Sequence, residues 1–433
     1  MKALIIRIRS FINTITGSIA FYPTFYAISA VVFALIMKWA EEMNISSYLQ
    51  EHLPQLVIND IETARTILTT LIAGGISMLV FSFSMVMLLL SQAAANYSPR
   101  VLPNLISNRR HQFILGTFLA TILYNIITVI GLEPTDQKYQ LPGFSVLLGI
   151  ISAFLALGAF VYFIHSISTS IQINNILEDI FKKSSDRLKI LIDEEKYAED
   201  FPDTSDWHVY KTKKSGTIQN ISVNGLKEAV EEFETKFEVL IVKGQYILTD
   251  SDMFLSEKEL KDEELEEIYK NFNYSESELV SDNYALGFKQ ITEIGIKAMS
   301  PGINDPGTAI DTIDYLTELV RIRMQKQDHS ISSNKEDKPV LKVKVIAFET
   351  LIYNVFASYR NYCKHDLTVM QKLLQLFSRC IERESCQRSY HEVLHNQAKL
   401  LIHDAEESIS NQHDLNVLKN QFQEIEDKIK SIN

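Results

Sequence analysis

The sequence predicts a mainly α-helical membrane protein, with four transmembrane helices followed by a cytosolic α+β domain rich in helices. Three observations predict it. The long apolar runs nearly all fall before about Ser170, and their centres hold no charged side chain. Lys and Arg collect on alternate connections between those runs. Beyond Trp207 the chain turns polar, with β-rich segments first and amphipathic helical periods after.

The first run, about residues 19–37, follows a basic start with Lys2, Arg7 and Arg9. It is too long for a signal-peptide core and lacks a small-residue cleavage site, so it reads as an uncleaved span. Pro23 sits in its first turns, where it does little harm, and Tyr22, Tyr26 and Trp39 are placed as interface anchors. The second run, about residues 67–90, is about 36 Å long as a helix, enough to cross a hydrocarbon layer of about 30 Å. It must be helical, because lipid offers a backbone no hydrogen-bond partner. The third and fourth spans cover about residues 113–130 and 144–164.

The connections set the direction of crossing. Residues 39–63 are acidic, with Glu41, Glu42, Glu51, Asp60 and Glu62. The next connection carries Arg100, Arg109 and Arg110 at the membrane edge and no carboxylate. The third, GLEPTDQKYQLPG, holds one lysine against two acids, and Lys182, Lys183, Arg187 and Lys189 follow the last span. The excess of basic residues marks the cytoplasmic side. This predicts a multi-pass protein of the bacterial plasma (inner) membrane with both termini in the cytoplasm and the lipid bilayer as its first partner.

Four regions follow: the membrane domain at 1–170, a connecting helix and linker at 171–205, a small α+β module at 206–255, and a helical cytosolic domain at 256–433. The isoleucines Ile164, Ile167, Ile171, Ile176 and Ile180 continue the helical period, predicting one unbroken helix from Phe144 to Ile180. A helix is predicted over Val223–Phe233 between β-rich stretches. Pro301-Gly302 breaks a helix, and Asp305-Pro306 starts another as N-cap and first helical residue. The polar stretch Gln327–Pro339 reads as a loop. Helices are predicted over about 343–362, 366–381, 389–408 and 415–430.

The second span carries a seam. Thr70, Ser77, Ser84 and Ser91 fall seven residues apart, with Gly74 close to the same line. Seven residues make nearly two turns, so these small groups share one edge. Lipid has no use for hydroxyls, so the edge predicts either close helix packing or the lining of a pore in a homo-oligomer. The spans hold no carboxylate or histidine of the kind coupled transporters use. Asn125 and Tyr124 are their strongest polar side chains.

Two stretches of the polar half are candidates for chemistry. In SPGINDPGTAID, the backbone N–H groups at a helix start suit an anion, and Asn304, Asp305, Asp311 and Asp314 suit a cation; a capped turn between packed helices is the structural alternative. HEVLH places His391 and His395 on one helical face as in zinc peptidases. The third histidine of the extended motif would fall on Leu401, so the pair is a weak metal candidate, and no catalytic residue or cofactor is assigned. The formal net charge of −12 argues against nonspecific nucleic-acid binding. Three cysteines, Cys363, Cys380 and Cys386, have no CxxC spacing.

The Ser-rich second span running into SPRVLPN, the LGTFLATILYNI of the third span with NRRHQ before it, and SPGINDPGTAID together resemble a family of bacterial predicted membrane proteins (domain of unknown function two-two-five-four). The resemblance implies a membrane location and a cytosolic C-terminal domain, and it implies no activity. The reading it joins is a homo-oligomeric ion or small-solute channel gated by its cytosolic domain. The alternatives are a membrane-anchored sensor or scaffold binding a ligand or protein, and a zinc-dependent hydrolase resting on HEVLH alone.

Overall fold

The computed structural model describes residues 21–43, 45–52, 55, 58, 60–96, 109–132, 142–170, 172–195, 201–274, 280, 282–334 and 338–432. The chain forms two compact units, one running to Gln172 and one from Ile173 onward, a short stretch around 96–98 grouping with the second.

The first unit holds α1 (Phe21–Glu42), α2 (Ile45–His52), α3 (Ile61–Asn96), α4 (Arg109–Ile130) and α5 (Gly143–Ser170). α1, α3, α4 and α5 are long and apolar enough to cross a membrane. Each outruns its apolar run, because the flanking polar residues still satisfy their backbone groups within the helix. α3 is the extreme case at 36 residues.

Side-chain contacts fix the helix directions. Tyr26 meets Phe113 at 5.5 Å between ring centroids, and further along both helices Phe33 meets Tyr124 at 5.7 Å, so α1 and α4 run parallel. The Tyr124 hydroxyl donates to the Ser145 carbonyl at 3.1 Å and Thr121 to that of Ser152 at 3.2 Å, so α4 and α5 run antiparallel. This up-and-down alternation is what four consecutive crossings require. The Glu41 carboxylate, at the end of α1, accepts from the Ser145 backbone N–H at 2.8 Å and its hydroxyl at 2.9 Å, capping the start of α5.

The fourth span's small residues are buried as a packing face: Ser145, Gly149, Ala153 and Ala156. A Cβ at Gly149 would strike the Asn125 amide and come within 3.0 Å of Leu68, so only glycine admits this approach. Outward, the unit presents Phe25, Val32, Phe83, Phe154 and Val161. Large apolar chains on the outside, with Ser82, Asn125 and Ser145 buried inside beside Phe118 and Phe163, suit a lipid surround.

The second unit begins with α6 (Ile173–Glu195), then β1 (His208–Lys211), β2 (Gly216–Ile221), α7 (Val223–Phe233), β3 (Phe237–Val239), β4 (Tyr246–Ile247), β5 (Asp252–Ser256), α8 (Asp262–Tyr269) and β6 (Phe272–Tyr274). It continues with α9 (Tyr284–Ala298), α10 (Pro306–Arg323), β7 (His329–Ser333), β8 (Pro339–Lys344), α11 (Phe348–Cys363), α12 (Leu367–Ile381), α13 (Ser389–Ser408) and α14 (Gln412–Ile432). The helix predicted at Val223–Phe233 is α7. Ser222 caps it, accepting from Gly225 N at 3.3 Å.

Three expectations are corrected here. The helix from Phe144 to Ile180 is two helices, for α5 ends at Ser170 and Gln172 is not helical. The HSISTS end of α5 supplies a cause. The Thr169 hydroxyl bonds back to the His165 and Ser166 carbonyls, competing with the backbone ladder. The stretch Gln327–Pro339 is not all loop: His329–Ser333 is β7, hairpinned to β8. The helix expected from about 343 starts at Phe348, because Pro339–Lys344 is a strand. Val340, Leu341 and Val343 are buried in it. β8 pairs parallel with β3, giving a five-stranded sheet of order β1-β5-β3-β8-β7. The α+β part therefore runs on past Leu255 to β6, which pairs with β2, and draws on residues 329–344 as well.

Candidate functional site

The seam of α3 is open. Thr70, Gly74, Ser77, Ser84 and Ser91 are all exposed within the chain, and a Cβ at Gly74 would meet nothing within 4 Å. Among the described residues of α3, the fully buried positions are Ala64, Leu68, Gly75, Ser82 and Ala93. They fall on the opposite side of the helix, since two positions turn it by about 200°. A Cβ at Gly75 would lie 2.9 Å from Ile122, which marks the close approach of α3 to α4. Thr70 and Ser77 donate to the carbonyls of Thr66 and Ala73 at 2.7 and 2.9 Å. Their donors are thus satisfied within the helix, and their oxygens face outward as acceptors. Such an edge can lie against lipid, against another copy, or along water and cations.

Of the three arginines expected at the membrane edge, Arg110 is exposed at the start of α4. Arg100 and the side chain of Arg109 lie outside the described residues, as does the SPRVLPN stretch.

The SPGINDPGTAID turn forms as the spacing predicts. Asp305 caps α10, accepting from Thr308 N at 3.1 Å and its hydroxyl at 2.6 Å, with Pro306 in the first turn. Those bonds, the hydroxyl's first, hold the Asp305 carboxyl below the usual carboxylate range. Asn304 takes a left-handed φ of 51°, which asparagine tolerates better than most residues. The structure does not gather the four candidate residues around one point. Asp311 is exposed on α10, and Asp314 pairs with Lys372 at 2.7 Å.

HEVLH lies on α13. His391 is buried, and its Nε2 meets the Arg383 carbonyl at 2.8 Å, so that nitrogen carries a proton and cannot ligate a metal. The His395 ring stacks on Phe422 at 6.0 Å, and its Nε2 lies 3.9 Å from Glu426. Among the described residues, no three His, Cys, Asp or Glu side chains are grouped to hold a metal ion. Cys363 and Cys380 are buried, and burial pushes both thiols up to about 12.

Sequence reasoning missed the strongest polar cluster. The Arg323 side chain is fully buried at the end of α10. It donates to Asp328 Oδ1 at 2.5 Å, to the carbonyls of Lys326 at 2.5 Å and Ile346 at 3.0 Å, and to the Tyr284 hydroxyl at 3.1 Å. Its guanidinium lies 5.6 Å from the Phe348 ring centroid and 5.8 Å from that of Tyr390. Burial opposes its charge, but Tyr284, Asp328 and Tyr390 outweigh that and raise its pKa. The readable signal was a charge on an apolar stripe: Leu316, Leu319 and Val320 share its side of the helix.

A sequence model of the family described as "Predicted membrane protein (DUF2254)" matches residues 16–379. "Uncharacterized protein Rv1290c" of Mycobacterium tuberculosis is 21% identical to the chain over 371 residues, covering 81% of this chain and 70% of the relative. "Uncharacterized protein Mb1321c" of Mycobacterium bovis matches with the same identity and coverage. No solved structure matches. The match takes in all four apolar helices and the second unit as far as α12, and on that extent the chain belongs to the DUF2254 family of predicted membrane proteins.

Proposed function

We propose that the protein is a homo-oligomeric channel of the bacterial inner membrane, passing an ion or small solute and gated by its second unit from the cytoplasm. The observation that carries this reading is the open hydroxyl edge of α3, opposite the face that packs inside the chain. Copies arranged with their α3 edges inward would line a path with hydroxyl oxygens, which can replace part of an ion's hydration shell. Phe81 and Leu88, beside that edge, would narrow it. The basic second connection and C-terminal side support a cytoplasmic second unit and cytoplasmic termini.

The test is planar-bilayer recording of the purified chain, with Ser77→Leu and Ser84→Leu beside it. A conducting protein that both substitutions reduce supports the channel. Conductance unchanged by both, or no conductance in the parent chain, rejects it.

A second reading, a membrane-anchored sensor or scaffold, is favoured by the back-bonded hydroxyls of Thr70 and Ser77. Satisfied in that way, the edge can face lipid at low cost. There a soluble ligand or protein would bind the second unit with no current in the bilayer.

A further inference from the structure

The second unit contains a groove of about 730 Å³ that none of the motifs above occupies. Its size is that of a small-molecule site. α9 lines one wall with Ala285, Leu286, Lys289, Glu293 and Ile296, a single helical face. α11 lines the other with Thr350, Leu351, Asn354, Val355 and Ser358. The β3–β4 connection, with Lys243, and the end of β8, with Lys344, close one end. Both helices start at that end, since Asn283 and Ala347 line it, while Tyr359 lies against Gly295 at the other. Lys243 and Lys344 therefore stand where both helices start, and their two ammonium groups favour an anion. The helix ends themselves are taken up, Phe348 N donating to Asp328 Oδ1 at 2.9 Å and Ala285 N to Asn283 Oδ1 at 3.1 Å. The lining holds three lysines against one glutamate, with apolar walls beyond.

Lys243 is half-buried, and its ammonium donates to a neutral amide, Asn220 Oδ1, at 2.7 Å. Burial and nearby Arg187 push it down to about 8, against the pull of Asp282 and Glu194. Arg187, Asp282 and Glu194 line a small second cavity that shares Lys243 and Lys344 with the groove.

We infer that this groove binds an organic phosphate, its phosphoryl group held at the Lys243–Lys344 end and its apolar or aromatic body laid between α9 and α11. A phosphate monoester carries about −1.5 to −2 charges at neutral pH, which matches the lysine excess. The apolar walls demand a body that inorganic phosphate lacks. A nucleotide and an anionic lipid headgroup with short chains share this chemistry. The inference stands whether or not the membrane unit conducts.

The experiment is isothermal titration of the full chain in detergent with three probes: adenosine monophosphate, dioctanoyl phosphatidic acid and inorganic phosphate. Saturable binding of one organic phosphate at least tenfold tighter than inorganic phosphate is expected, and the tighter probe names the source. Lys243→Gln and Lys344→Gln should each weaken it about tenfold or more, the scale of a lost charge-assisted contact. Lys289→Gln, at an exposed position, provides a variant with little risk to folding. Leu351→Trp, which fills the groove without changing charge, should abolish binding. Above pH 8 binding should take up protons as Lys243 recharges, seen as a dependence of heat on buffer ionisation. No binding of either organic probe, equal affinity for inorganic phosphate, or affinity unmoved by the variants would each overturn the inference.

Discussion

Ser82 and Ser84 stand two positions apart on α3, and the first is fully buried while the second is exposed. One hydroxyl faces the chain's own helices and the other faces away. The same helix thus has an inner face already occupied and an outer polar edge that none of the described residues covers.

The two serines should respond differently to the same change. Ser82→Leu forces a larger side chain into packed space and should cost about 1–3 kcal/mol. Ser84→Leu should leave stability within about 0.5 kcal/mol, as exposed substitutions do. Thermal melts of the detergent-solubilised chain read the difference. Equal melting temperatures for the two variants would contradict the two-faced helix.

The glycine contacts allow a sharper test of the bundle. A Cβ at Gly116 would come 2.5 Å from the Tyr26 ring, where α4 crosses α1. Gly158 of α5 has nothing within 4 Å. Gly116→Ala should therefore destabilise by about 1–3 kcal/mol through overpacking. Gly158→Ala should be neutral or stabilising, because alanine is the better helix former by about 1 kcal/mol. A melt in which Gly158→Ala costs more than Gly116→Ala would refute this packing.

Much of this was legible in the sequence, and the reasons differ by element. The four apolar runs were readable because lipid imposes one rule on every residue of a span. The Asp305 cap was readable because Asp-Pro at a helix start is a local code. β7 and β8 were not, since PVLKVK is buried between β7 and β3, the latter about a hundred residues earlier, and in a core shared with Leu226 and Phe254. The Arg323 cluster was hidden for the same reason: its partners Tyr284, Asp328 and Tyr390 come from different elements. The groove with Lys243 depends on α9, α11 and two β connections meeting, which no single window of sequence records.

Arg323 should prove the most sensitive charged position of the second unit. Removing it empties a buried space and takes a donor from the Ile346 carbonyl, while Asp328, a third exposed, keeps Tyr390 and Phe348 N, and the Lys326 carbonyl keeps Tyr390. Arg323→Ala should cost about 2–5 kcal/mol, the range for emptying the space of a large buried side chain. Arg323→Lys should recover only part of that, because an ammonium cannot reproduce the guanidinium's several fixed bonds. Loss of less than 1 kcal/mol in Arg323→Ala, by chemical denaturation followed through circular dichroism, would show that the cluster is not structural.

The Asp305 cap gives a pH dependence with a defined sign. Its folded pKa lies below the unfolded value, chiefly through the Thr308 hydroxyl and then the Thr308 backbone N–H. The ionised cap therefore stabilises above the unfolded carboxyl pKa of about 3.9, and that contribution is lost as pH falls through the folded value. At pH 7, Asp305→Ala should cost about 0.5–1 kcal/mol, in the range of a helix N-cap. Asp305→Asn should cost less, since an amide oxygen still accepts from Thr308 N. Thermal melts from pH 7 to pH 3 should show the gap between parent and Asp305→Ala closing below about pH 4. A gap constant down to pH 3 would mean that the carboxylate charge adds nothing to the cap.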